Sequence, residues 1–181
     1  MFAVLEAIDE CLQKRRLMPA LLLLYSAMDA VASLERQPGE GTRAAFTRWV
    51  DTHMVKARPL PCTALELYAA RCGIVHDFAA ESDLSRKGQV RRIFYAWGTA
   101  RPADLQKATD IMNTCHAVSV HVGDIIDAFR NGVANYLDEV GANVVRQKRI
   151  ISGSSIWLIN IQPALIQAFL DRYGSGSKDA S

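Results

Sequence analysis

The chain has 181 residues, half of them apolar and 22% charged, which suits one globular domain able to bury a sizeable core. Its formal net charge is +2, so no chain-wide basic field points to nucleic acid, and any such site must be a local patch. Cys11, Cys62, Cys72 and Cys115 are widely spaced with no C-x-x-C pair, which predicts reduced thiols rather than a disulfide framework or a zinc site.

In chain order, residues 2–15 place Phe2, Leu5, Ile8 and Leu12 on one helical face and end in Lys14, Arg15 and Arg16, cations that favour a helix C-terminus. The acidic Glu6, Asp9 and Glu10 stand where an export signal would be basic and then apolar, which predicts a cytoplasmic protein. Residues 18–36 carry few polar positions and predict a central helix. Their longest apolar stretch, Leu17 to Leu24, is too short to span a bilayer, so no membrane partner is expected. Gln37 to Gly41 form a loop, and Thr42 is a good N-cap for a helix whose Phe46, Trp49, Val50, His53 and Met54 make an amphipathic stripe.

Two prolines within 57–62 break the chain again. Thr63-Ala-Leu-Glu66 then has the form of a capping box, which starts a helix at about Ala64 and ends it near Ala80, before the breaker-rich Glu81 to Ser85. Residues 88–97 fit a helical stripe through Val90, Ile93, Phe94 and Trp97, yet Ile-Phe-Tyr-Ala-Trp is also strand-prone. Gly98 ends that element. Pro102 opens a helix running to about Ser119 or continuing into the next, where Val122, Ile125, Ile126, Phe129 and Val133 recur at helical spacing over 119–140. Arg149-Ile-Ile and Ile156-Trp-Leu-Ile flank Ser152-Gly-Ser-Ser155 and predict a small hairpin; Pro163 opens a last short helix. The expectation is an all-α fold with a minor β-hairpin near the C-terminus, one domain over 1–173 and a flexible tail over 174–181. No internal repeat is present.

The chemistry-bearing feature is Arg71-Cys-Gly-Ile-Val-His76, a permanent cation five residues before a titratable ring. Arginine forks onto phosphate oxygens and histidine titrates near neutral pH, a pairing suited to phosphodiester cleavage. With 15 Arg and 4 His, about 0.3 such pairs arise by chance, and a second one, Arg48 to His53, is present. His53 belongs to an apolar stripe and reads as a core histidine; His121 and Asp124, without a third ligand, read as a surface hydrogen bond. A five-residue step turns roughly 140° around a regular helix, so Arg71 and His76 meet only if the helix ends or loosens, which Gly73 permits. The alternative is an Arg71 paired with an acid such as Glu66 or Asp77, and a His76 that caps the helix end. Lys87, Arg91 and Arg92 either track a nucleic-acid backbone or form a solvated face.

This motif late in a central helix, with Leu67-Tyr-Ala-Ala-Arg-Cys-Gly-Ile-Val-His76, Glu81-Ser82, Leu84-Ser-Arg86, Gly88 and Tyr95-Ala-Trp-Gly98, resembles an uncharacterised bacterial branch of the HEPN superfamily. The clear part of the resemblance covers about residues 61–98. It implies an antiparallel helical bundle and a metal-independent endoribonuclease with no cofactor, with Arg71 and His76 catalytic. It also implies a homodimer, RNA or a nucleotide as ligand, and an antitoxin partner where the family serves as a toxin. Two positions depart from the pattern: Cys72 stands where catalytic members carry a polar residue, and Phe78 where toxins modified by a nucleotidyltransferase carry Tyr. Some members are non-catalytic binding modules, and a structural adaptor is a further class.

Overall fold

A computed structural model describes residues 2–79, 81–112, 116–154, 166–168 and 171–172. The fold is mostly helical, with one small two-stranded sheet. Helices α1 (Phe2–Gln13) and α2 (Leu17–Leu34) are followed by α3 (Thr42–Trp49), which runs straight into a π-helical turn at Val50–Val55. Helix α4 (Ala64–Cys72) does the same at Gly73–Asp77, and a short α5 (Asp83–Arg86) follows. Strand β1 (Arg92–Ala96), α6 (Pro102–Met112) and β2 (Ala117–His121) lead to the long α7 (Val122–Gly141) and to α8 (Val144–Ser154).

Helix α2 is the centre of the bundle. It packs against α1, α3, α4, the second π turn, α7 and α8, and buries Leu21, Leu24, Tyr25, Met28 and Val31. It continues through Ser26 and Asp29 to Leu34, close to the helix expected over 18–36. Among the described residues it alone is long and apolar enough to cross a membrane on length and composition, but its buried face is part of the protein core. The expected stripe of α3 is buried from Phe46 to Met54, and Trp49 meets Phe129 and Tyr136 of α7 edge-on. A Cβ on Gly132 would come within 2.8 Å of Met54 Cγ, which explains how α7 approaches the first π turn so closely.

The β element departs from expectation. Arg149 to Ile151, expected as a strand, lie within α8, while 156–159, Pro163 and the 174–181 tail fall outside the described residues. The sheet is instead a parallel pair of β1 and β2, with Arg92 opposite Ala117 and Ala96 opposite His121. Parallel strands cannot be joined by a tight turn, and α6 is the crossover between them. The helix opened by Pro102 is described over Pro102–Met112, and Ser119 to His121 are strand rather than helix. The β-branched Val118 and Val120 are buried there, and Gln106 of α6 accepts from the Ser119 N–H at 2.8 Å. The hydroxyls of Tyr25 and Tyr95, 2.8 Å apart, tie α2 to β1.

The start of α4 is fixed by the expected capping box. The Thr63 hydroxyl accepts from the Glu66 N–H, and the Glu66 carboxylate accepts from the Thr63 N–H at 2.8 Å. Glu66 is almost fully buried and also takes both Nε and Nη2 of Arg91, at 2.6 and 3.0 Å. Burial works to raise the Glu66 pKa, but the bonds from Arg91 and Thr63 outweigh it and hold the carboxyl below its ordinary 4.5. Removing one partner of a covered ion pair strands the other. Glu66→Ala is therefore expected to lower stability by about 2–4 kcal/mol in urea unfolding. Because the folded pKa is the lower one, the ionised pair's contribution is complete above the unfolded value near 4.5 and is lost as pH falls through the folded value. The variant should lack this part of the acid limb.

Candidate functional site

Helix α4 is regular from Ala64 to Cys72 and then widens. In the π turn Gly73–Asp77 the backbone bonds to the fifth residue, which returns residues five apart to the same side. Gly73 lets the chain that follows close on this turn. A Cβ there would lie 2.7 Å from the Glu81 carbonyl oxygen and 2.8 Å from that of Ala79, so the following loop folds back against bare backbone. The Gly73 carbonyl in turn accepts from the Phe78 and Ala79 N–H groups and closes the turn. Leu67, Ala69 and Ile74 face the core, whereas Tyr68, Cys72 and Val75 are only partly covered.

The result is a direct contact between the two motif residues. Arg71 Nη1 lies 2.7 Å from His76 Nε2. A guanidinium can only donate, so the ring nitrogen accepts, and the ring is the neutral tautomer with its proton on Nδ1. The other terminal nitrogen, Nη2, donates to Asp29 Oδ2 at 2.7 Å. The Arg71 side chain is 12% exposed and that of Asp29 25%. Burial works against the Arg71 charge, but Asp29 outweighs it and raises the pKa further. The acid that pairs with Arg71 is thus neither Glu66, which is committed to Arg91, nor Asp77. The sequence carries a signal for Asp29: it is the sole charge in the apolar α2, and a charge placed there needs a partner.

His76 lines an open cavity of about 680 Å³, walled by Thr42, Arg43 and Ala44 at the start of α3, by Tyr68 and Cys72, and by Asp77 and Asp83. Arg71 lines a smaller one of about 190 Å³ with Asp29, Arg36 and Ala45, and Thr42 forms a wall of both. The N-cap of α3 is Gly41, extended and without a side-chain cap, so the first N–H groups of that helix have no side-chain acceptor. Burial, and then the neighbouring Cys72 thiol, raise the Tyr68 phenol above its ordinary value. Asp83 is paired with Arg86.

The three cations expected to follow an RNA backbone differ. Arg91 is held by Glu66 and also donates to the Pro61 carbonyl at 3.1 Å. Arg92 pairs with Glu81 and lies over the Phe94 ring. Lys87 is exposed and forms no ion pair among the described residues. The second spaced pair does not meet. Arg48 donates to Glu40 through Nε and Nη2, at 2.9 and 2.8 Å, while His53 points into the core against Tyr136. Burial lowers the His53 pKa, outweighing the Glu139 carboxylate 3.7 Å away. His121 caps α7 by accepting from the Gly123 N–H, and Asp124 is bound by Arg58.

No family model matches the chain, and neither curated proteins nor solved structures provide a match. The likeness to the HEPN superfamily therefore rests on the residues around Arg71 and His76 themselves.

Gly73→Ala should force the Ala79 and Glu81 carbonyls away from the π turn. The expected cost is roughly 1–3 kcal/mol, as for other overpacked sites. The Phe78 and Ala79 amides, which both bond to the Gly73 carbonyl, should exchange faster with deuterium than in the wild type.

Proposed function

We propose that the chain is a metal-independent endoribonuclease of the HEPN type, acting in the cytoplasm as a homodimer. The single observation that supports this best is the 2.7 Å contact of Arg71 and His76 at the edge of an open cavity. In this reading an RNA phosphate takes the Arg71 Nη1 donor away from the ring. That frees the Nε2 lone pair to accept the proton of the adjacent ribose 2′-hydroxyl, which attacks phosphorus. Asp29 keeps the other guanidinium nitrogen anchored, so the cation stays in place while it changes partner. Arg71 then balances charge developing on the phosphoryl oxygens.

The leaving 5′-oxygen needs a proton, which a second His76 supplies from across the dimer as the imidazolium, released from its own Arg71, while the first ring keeps the 2′-hydroxyl proton, so one ring ends protonated and the other neutral. The products are a 2′,3′-cyclic phosphate and a 5′-hydroxyl. Positioned acid–base groups supply about 10²–10⁴ in rate, and orientation and charge stabilisation carry the remainder. Lys87 and Arg43 are the cations nearest in kind to backbone contacts, because the charges of Arg91 and Arg92 are matched by carboxylates. A toxin role with an antitoxin partner belongs to this reading.

A second reading has its own observation. Asp29 neutralises an Arg71 that is only 12% exposed, which suits a non-catalytic module that binds RNA or a nucleotide, or a dimeric adaptor. Incubation with mixed single-stranded RNA in chelator separates the two. The enzyme reading expects fragments ending in cyclic phosphate, and a loss of at least about 10²-fold in Arg71→Ala and His76→Ala with folding retained. RNA binding without cleavage supports the module; neither activity supports the adaptor.

A further inference from the structure

Phe78 is the residue of this region that the fold explains least. It terminates the π turn two residues after His76, with φ 52° and ψ 27°, in the left-handed region. Helices often end that way, but with Gly or sometimes Asn, because other side chains are strained there. A bulky ring in this position is uncommon and calls for a compensating role. Burial does not provide it: Phe78 is 65% exposed. The strained turn is nevertheless firmly held, since the Phe78 and Ala79 N–H groups both bond to the Gly73 carbonyl and the next backbone packs on Gly73. The backbone that carries this exposed ring is thus held in place directly after His76 and Asp77, which line the cavity.

We propose that Phe78 is a stacking platform for an unpaired nucleobase of the RNA strand whose phosphate lies at Arg71 and His76. The proposal rests on the ribonuclease or RNA-binding reading of that pair. Single-stranded nucleic acids are held by aromatic rings that face solvent beside a cation, since every base has a π-face. A ring carried on a held backbone has less freedom to lose when a base stacks on it than one on a mobile loop. A ring two residues from His76 would set the position of the base next to the cleaved bond. It would therefore determine where the strand is cut, and it would favour unpaired over duplex RNA.

The test uses the full chain and a short mixed-sequence single-stranded RNA, together with copies of that RNA carrying one abasic ribose at successive positions. Phe78→Asn keeps a residue tolerant of the left-handed turn and removes the ring; Phe78→Tyr and Phe78→Trp keep a ring. Affinity is measured in a His76→Ala background, where cleavage is blocked. Phe78→Asn should weaken RNA binding roughly tenfold, with the ring-bearing variants near wild type. In the cleaving protein the same variant should raise KM more than it lowers kcat. One abasic position should weaken the wild type similarly and add nothing to Phe78→Asn.

Equal affinity of Phe78→Asn and wild type, or abasic and Phe78→Asn losses that simply multiply, would overturn the proposal. So would a change of oligomeric state on sedimentation with RNA affinity unaltered, which would make this ring a contact between copies. A wild type that neither binds nor cuts RNA overturns the underlying reading together with this one. A wild type that binds or cuts while indifferent to Phe78 overturns this one alone.

Discussion

The site depends on one constraint: the cation of Arg71 is shared between the Asp29 carboxylate and the His76 ring. The second of these would not form on a uniform α-helix. A regular helix would send side chains five apart to different sides, and only the widening at Gly73–Asp77 returns His76 to Arg71. Closing the following chain onto that turn requires a residue without a Cβ, because the Ala79 and Glu81 carbonyl oxygens occupy the space one would fill. Gly73 is thus as much a part of the site as the two side chains it brings together.

Asp29 has two effects that pull in opposite directions. By binding Nη2 it orients the guanidinium in advance, so little freedom remains to be lost when a phosphate arrives. By lying 2.7 Å away it also offsets the charge that a phosphate would need. In the proposed reading, which effect dominates decides between catalysis and mere binding. The arrangement is held from behind by α2, whose apolar face fills the bundle centre and whose one carboxylate lies opposite α4.

The helical skeleton was largely legible, because hydrophobic spacing and caps are local properties. The capping box at Thr63, the buried Phe46–Met54 stripe and the helix start at Pro102 all follow from short stretches of chain. What was not legible depends on partners distant in sequence. Val118 and Val120 can sit in a helix or a strand, and only pairing with β1 selects the strand. The hairpin expected around Arg149 fails for the same reason, since those residues continue α8. At the site, Gly73 signalled a loosened helix, but the distinction between two equally spaced Arg–His pairs needed three dimensions. Both pairs run into π turns; one histidine turns inward to Trp49 and Tyr136, the other outward to Arg71.

The contact at the heart of this account is most directly tested by nitrogen NMR of the His76 ring in histidine-labelled protein at neutral pH. An arginine can only donate, so the ring must carry its proton on Nδ1 and present a bare, hydrogen-bonded Nε2. Replacing Arg71 by Ala should change the Nε2 resonance. A ring protonated on Nε2, with a spectrum indifferent to Arg71, would contradict the pairing on which the site is built.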